Sequence, residues 1–468
     1  MKSSVKWLLI LLLTTCQGCN VFTGSSTEEM PSPPDQEITD SGISSPDLFA
    51  DTPIQPPTWH CPENEPLWIT GFEVYQPPHV SEPSARESYI DPIFGTCVIR
   101  VTDRAQDLSP DDDSGGLKNE YSRVQSFNAD NSLILVRGIE ATWYLYETAS
   151  LRPIRQIPIV VEPRWDSKDP NTLYYVDETR LMAYHVSDGG QDILYDFADD
   201  FPGQRLSTVW TRYEGSPSFD SRYWGLMAED MESLTVGFLI YDMLEDRLIA
   251  KRLLPDPAEI DSVTISPLGN YFLAYFDEYC ERGEQGSDSN PCGLMVYDRE
   301  LNNGRSLLRI IGHSDLALDS EGREVLVYQD IDTDDISILD LASGEITPLF
   351  AIDFSFSAIG LHFSGRAQER PGWALVSTHN GANPSATWMD DQVFAIELHA
   401  GGRVVRLAHT HSIVDESQEQ DYWAEPHASV NQDFTRILFT SNWGRSGTDE
   451  VEMFMLELPS DWTESIPE

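Results

Sequence analysis

One phrase of apolar and polar positions recurs along the chain. In its clearest copy a short strand from residue 425 ends in a polar turn at residues 431–434. A very apolar strand follows at 436–441, and a third runs through 451–459. Earlier copies pair residues 125–136 with 142–147, 163–176 with 180–185, 216–227 with 237–242, 263–275 with 293–298, and 315–328 with 336–341. A further copy runs from 359–364 through 373–377 to 392–397. Most copies add a weaker outer strand, such as 345–350 or 403–407. Four strands per unit, repeating roughly every 40–55 residues, is the signature of a β-propeller. Strands apolar on both faces suit sheets sandwiched between neighbours. Seven copies therefore predict an all-β, seven-bladed β-propeller of four-stranded blades. The first copy is short of an outer strand. Strands at 69–75 and 96–102 precede it, and an N-terminal strand is expected to complete the last blade, closing the ring and removing a free edge.

Composition adds compartment and excludes some partners. The 468 residues include 78 acidic and 30 basic ones, a net charge of −48, and only five of the basic residues are lysine. Such a field repels nucleic acid and anionic lipid, which are held by clustered Lys and Arg. The N-terminus carries Lys2 and Lys6, an apolar run at 7–13, then Thr14-Thr-Cys-Gln-Gly-Cys19. The run is too short to span a bilayer and reads as a signal segment, residues 1–19. Its end resembles the lipobox of bacterial lipoproteins, which implies lipidation at Cys19, with Cys16 as the alternative. Residues 20–58 are Ser, Thr, Pro and acidic with few apolar positions, and cannot bury enough surface to offset ordering. They read as a disordered tether to a propeller at 59–461, followed by a tail at 462–468. The expected location is the bacterial cell envelope, lipid-anchored, or else secreted. In an exported chain the four remaining cysteines suggest disulfides. Cys280 and Cys292 bracket a polar loop that a local bridge would pin, and Cys61 with Cys97 is the remaining pair.

Several motifs carry a family likeness. Asp91-Pro-Ile-Phe-Gly-Thr96 with Arg100-Val-Thr102, Phe127-Asn-Ala-Asp130, Arg370-Pro-Gly-Trp373, Glu425-Pro-His-Ala-Ser429 and Phe439-Thr-Ser-Asn-Trp-Gly444 resemble exported bacterial WD40-like propeller proteins. That group is similar to TolB-type propellers and, more distantly, to oligogalacturonate lyases. The likeness covers about residues 69–459 and speaks to fold more than to function.

Candidate chemistry follows from the ring. The innermost strand of each blade begins at one mouth of the central channel, so residues far apart in sequence converge there. At or just before these strands stand Arg123, Glu162, Glu214, Asp261, His313, Ser357, Glu425 and His427. Carboxylates and imidazoles gathered in this way can bind a divalent cation such as Mn or Ca, or simply line a hydrated channel. The lyase resemblance implies metal ligands at His313 and His427, with Glu425 standing where that family has another histidine. It also implies a histidine base in the blade before His313, yet no histidine lies between His185 and His313. His409 and His411 could chelate, and Trp388, Trp423 and Trp443 could form a sugar- or peptide-binding platform. The acidic run at 330–335 lacks the Gly and Glu of a calcium loop and reads as a hairpin turn. Two functions are compatible with this pattern. One is a monomeric binding module holding a protein partner or glycan at one face, touching the membrane only through its N-terminal lipid and binding no nucleic acid. The other is a metal-dependent polysaccharide-lyase-like enzyme with its site at His313 and His427.

Overall fold

The computed structural model describes residues 59–62, 66–108, 115–352, 359–380, 387–415 and 417–467. Cys19, the tether and Ser357 lie outside the described residues. Among those described, six antiparallel sheets have four strands and a seventh has five. The strands follow one another outward within each blade, so the protein is an all-β, seven-bladed propeller. Helix is limited to short pieces such as Arg104–Asp107 and the 3₁₀ turn Glu419–Ala424.

The ring closes where the sequence placed the closure. Cys97–Arg100 pairs antiparallel with Glu452–Glu457, so an N-terminal strand completes blade 7, and Ser88–Ile90 adds a fifth strand outside it. Two sequence expectations change. The first unit does have an outer strand, Arg152–Ile157, which its mixed polar pattern conceals. Residues 69–75 form no strand: only Thr70 bridges, to Val405 at the outer edge of blade 6. Gly71 interrupts that run with φ 85, a conformation that favours glycine and breaks a ladder. Trp462 is fully buried against Trp68, Trp373 and Phe434, and Ile466 joins the same core.

The reason for strands apolar on both faces is visible in the core. Seven large hydrophobic clusters form, one at each junction between adjacent blades. Side chains along a strand alternate between them: Leu133 and Leu135 pack toward blade 2, and Ile134 and Val136 toward blade 7. Period-two alternation is therefore retained, but both faces are buried. Both expected disulfides, Cys61–Cys97 and Cys280–Cys292, are present. The first ties the entering chain to its closing strand. The bridges are consistent with an exported protein. Among the described residues no helix is long and apolar enough to cross a membrane.

One buried acid gives the fold a pH dependence. Asp391 has φ 59 and accepts a hydrogen bond from Thr410 Oγ1 at 3.3 Å. Burial pushes its carboxyl up to about 7, with Asp390 adding to the rise and Thr410 opposing it. Between the ordinary carboxylate range and about pH 7 the unfolded chain releases this proton and the folded chain keeps it, so stability falls as pH rises. Asn keeps the shape and tolerates φ > 0. Asp391→Asn is expected to match the parent protein near pH 4 and to exceed it by roughly 2–4 kcal/mol at pH 8. Urea denaturation at both pH values checks this.

Candidate metal centre at the channel mouth

Four histidines, a glutamate and a lysine meet at one mouth of the channel, each delivered by an inner or second strand. His313 immediately precedes the inner strand of blade 5, Ser314–Leu318. His362 lies in the inner strand of blade 6, Ile359–Ser364, and His379 near the end of the next strand, Trp373–Asn380. Glu425 and His427 precede the short inner strand of blade 7, Ser429–Val430. Lys118 ends the inner strand of blade 1, Leu117–Lys118.

His362 is the hub. Its ring centroid is 4.4 Å from that of His313 and 4.2 Å from that of His427, and its Nε2 is 3.4 Å from Glu425 Oε2. His379 reaches the site through register. Gly360 pairs with His379 and His362 with Ser377, so the two histidines are diagonal neighbours on one face of the blade. Gly360 leaves the space, since a Cβ there would lie 2.1 Å from His379 Nε2. One donor atom each from His362, His379 and Glu425 lies within 4.8 Å of the others. His427 Nε2 is 3.2 Å from Glu425 Oε2 but off the line a hydrogen bond needs. Its Nδ1 lies 3.0 Å from Lys118 Nζ. The His427 backbone has φ 44 and is held there by Asn119, whose Nδ2 donates to the His427 carbonyl. A left-handed conformation on a non-glycine residue stores strain, which is found most often at functional sites.

The electrostatics leave lone pairs free. Burial, with Arg123 adding, lowers His313 to about 4; burial, with His313 adding, lowers His379 to about 3. His362 and His427 are held well below the usual imidazole range, first by burial and then by the neighbouring histidines and Lys118, with Arg137 adding at His427. All four are neutral at pH 7 and can act as ligands. The buried Nδ1 atoms of His362 and His379 have no hydrogen-bond partner among the described residues, and such atoms are costly unless something binds them. Lys118 is held down at about 7, mostly by burial and also by Arg137. A donor set of imidazoles and one carboxylate suits Mn, Zn or Fe better than all-oxygen Ca.

The other residues expected at the mouth have separate duties. Arg123 pairs with Glu214 at 2.7 Å and spans to blade 5 through the Ser314 carbonyl. Asp261 sits in the field of Glu214; burial and that neighbour push it up to about 7 against Arg123 and Arg212. Glu162 is buried and accepts from the Thr211 and Tyr213 amides, which fixes a loop of blade 3. His409 Nδ1 contacts Asp91 at 2.9 Å, both fully buried, while the His411 ring packs tilted against Trp443 at 4.4 Å. Trp388 packs against Phe72, Phe350 and Phe394. Of the tryptophans noted in the sequence, Trp423 stands at this mouth, with Lys118 5.5 Å and Arg137 5.8 Å from its ring centre.

No family model and no curated protein matches the chain. Solved structures do. An oligogalacturonate lyase in complex with manganese aligns at 14% identity and TM-score 0.54, covering 86% of this chain and 98% of that one. An oligogalacturonate lyase from Vibrio parahaemolyticus aligns at 11% identity and TM-score 0.55, over 84% and 98%. The propeller domain of Swd1 from Myceliophteria thermophila aligns at 11% identity and TM-score 0.41, over 73% and 98%. At these identities the shared property is the propeller fold.

Sequence reasoning singled out His313, Glu425 and His427, and the structure sets all three around His362. It did not assign His362 or His379 to a metal. The available signal was weak: a histidine between the buried Leu361 and Phe363 must face away from them, toward the side not packed on blade 5.

Proposed function

We propose that the protein is a divalent-metal-dependent enzyme of the polysaccharide-lyase type, acting on uronate-containing chains at this mouth. The observation that carries the proposal is the convergence of His362, His379 and Glu425 with His427 and His313 beside them. Bound there, a cation would neutralise a uronate carboxylate and make the adjacent carbon acidic. Lys118, 5.5 Å from the Trp423 ring centre and 3.0 Å from His427 Nδ1, would accept the proton from that carbon. As the C–H bond breaks, the electron pair forms the C=C bond, the glycosidic C–O bond breaks, and the leaving oxygen takes a proton from solvent water, while Lys118 later gives up the one it accepted to the hydroxide this leaves. Arg137, flanked by Tyr213 and Trp423, supplies a second cation for an anionic sugar. The manganese in the first lyase structure supports the choice of cation. The disulfides support an exported location, with lipid anchoring at Cys19 as part of the same proposal.

A second reading, a glycan-binding module without turnover, is favoured by the absence of any histidine between His185 and His313. One experiment separates the two. Purified protein is assayed for metal content and for the absorbance of unsaturated uronate with oligogalacturonate. About one equivalent of metal, with product that vanishes on EDTA treatment and returns with Mn, is expected for the enzyme. Metal without product with any uronate oligomer selects the binding module, and the absence of bound metal rejects the metal site itself.

A further inference from the structure

A second cavity, of about 30 Å³, lies where the inner strands finish rather than where they begin; its lining includes Gln125, Arg164, Ser167, Ser218, Arg366 and Gln432. Its residues come from blades 1, 2, 3, 6 and 7. Arg366 is 8% exposed, rests its guanidinium 4.8 Å from the Phe219 ring centre and makes one hydrogen bond, from Nη2 to the Pro217 carbonyl at 3.4 Å. Among the described residues it has no ion-pair partner, in a chain where acids outnumber bases by 78 to 30. Asp315, the acid whose field reaches it, is already engaged by the Gly365 and Leu316 amides. Arg164 in the same lining is saturated by Glu120 and by the Gly215 and Tyr213 carbonyls, so it is not available to a new partner.

Two further donors have nothing to bind. Gln125 Nε2 and Ser167 Oγ are buried and have no hydrogen-bond partner among the described residues. The Gln125 amide cannot be reversed to cure this, because its Oε1 accepts from the Phe127 amide at 3.1 Å. A buried guanidinium with unpaired N–H and O–H groups around a small cavity is costly unless an acceptor fills it. The space admits one small ion or about two waters. We infer that this cavity is a binding site for a monovalent anion of chloride size, held by Arg366 with Gln125 and Ser167. The anion takes the place of the missing carboxylate and ties blades 1, 2 and 6 together across the channel. Nothing in this inference depends on the metal centre at the other mouth.

Bromide tests it, being a chloride mimic visible by anomalous scattering. In crystals soaked in sodium bromide an anomalous peak is expected within hydrogen-bond reach of Arg366. In solution, bromide at constant ionic strength, balanced with gluconate, should raise the Tm along a saturating curve. Arg366→Gln should lose both signals. Should that variant fold poorly, Gln125→Glu serves instead: it keeps the acceptor for Phe127 and brings an internal carboxylate to Arg366, so bromide should no longer bind or stabilise. A cavity holding only water, or a bromide response equal in the parent and Gln125→Glu proteins, would overturn the inference.

Discussion

Replacing His362 with alanine is expected to weaken binding of a divalent cation at the proposed centre and to leave the propeller folded. His362 is the residue around which the others are arranged, 2% exposed, with the rings of His313 and His427 on two sides and the Glu425 carboxylate on a third. Its loss removes one of three donors that lie within reach of a single ion. Losing a direct ligand should weaken binding by on the order of 100-fold or more, since loss of mere supporting groups already costs 10–100-fold. The fold should tolerate the change. The imidazole carries an unpartnered Nδ1 and sits among like neighbours, so its removal relieves a desolvation cost that offsets the cavity it leaves. Gly360→Ala is the companion variant. It leaves every candidate ligand in place but puts a methyl where His379 Nε2 now lies, so it should displace that ring and weaken metal binding too. Calorimetric titration with Mn, alongside urea denaturation, reads both effects. Unchanged affinity in His362→Ala would remove the site from consideration.

Glu452→Ala opens the ring. Glu452 is fully buried in the last blade, where its carboxylate accepts from Arg100 Nη2 at 2.6 Å, Thr102 Oγ1 at 2.6 Å and Arg104 Nη1 at 2.9 Å. The Arg104 amide adds a further bond at 3.1 Å. All of these partners follow or belong to the N-terminal closing strand, so one side chain fastens the start of the propeller to its end. Burial alone pushes the carboxyl up, while Arg100, Thr102 and Arg104 pull it down. Truncation leaves two guanidinium groups facing an empty site, a loss of about 3 kcal/mol. The figure sits at the low end of the range for buried pairs because Arg100 keeps Glu82 at 3.3 Å. Denaturant unfolding should show the destabilisation, and limited proteolysis should cut first within residues 86–103. A variant as stable and as resistant as the parent would mean that the hydrophobic contacts of Val98 and Ile99 suffice for closure.

The repeat was legible because a propeller blade is local. Each apolar strand, turn and partner strand lies within about fifty residues, and hairpin chemistry is written in adjacent residues. Trp143–Glu147 and Gln392–Glu397 could therefore be read directly. The outer strand Arg152–Ile157 could not, because outer strands face solvent and lose the apolar signature. The likeness of Glu425-Pro-His427 to an enzyme motif pointed to the mouth where His313, His362 and His379 also gather. The arrangement within it rests on pairings the sequence does not display.

The sequence by itself determined the class of fold and the number of blades, since alternation and turn residues are short-range properties; the closing strand and both disulfide pairs were expected from it and are present. Only the tertiary structure decided which side chains share a site. His362 and His379 become neighbours through a strand register, with Gly360 leaving room. Lys118 meets His427 only because the ring brings residues separated by 309 positions to within 3.0 Å. Among the described residues Arg366 has no ion-pair partner, because Asp315, the acid whose field reaches it, is engaged by the Gly365 and Leu316 amides. Burial, register and ring closure are properties of the assembled molecule, and they gather scattered polar residues into two clusters along one channel.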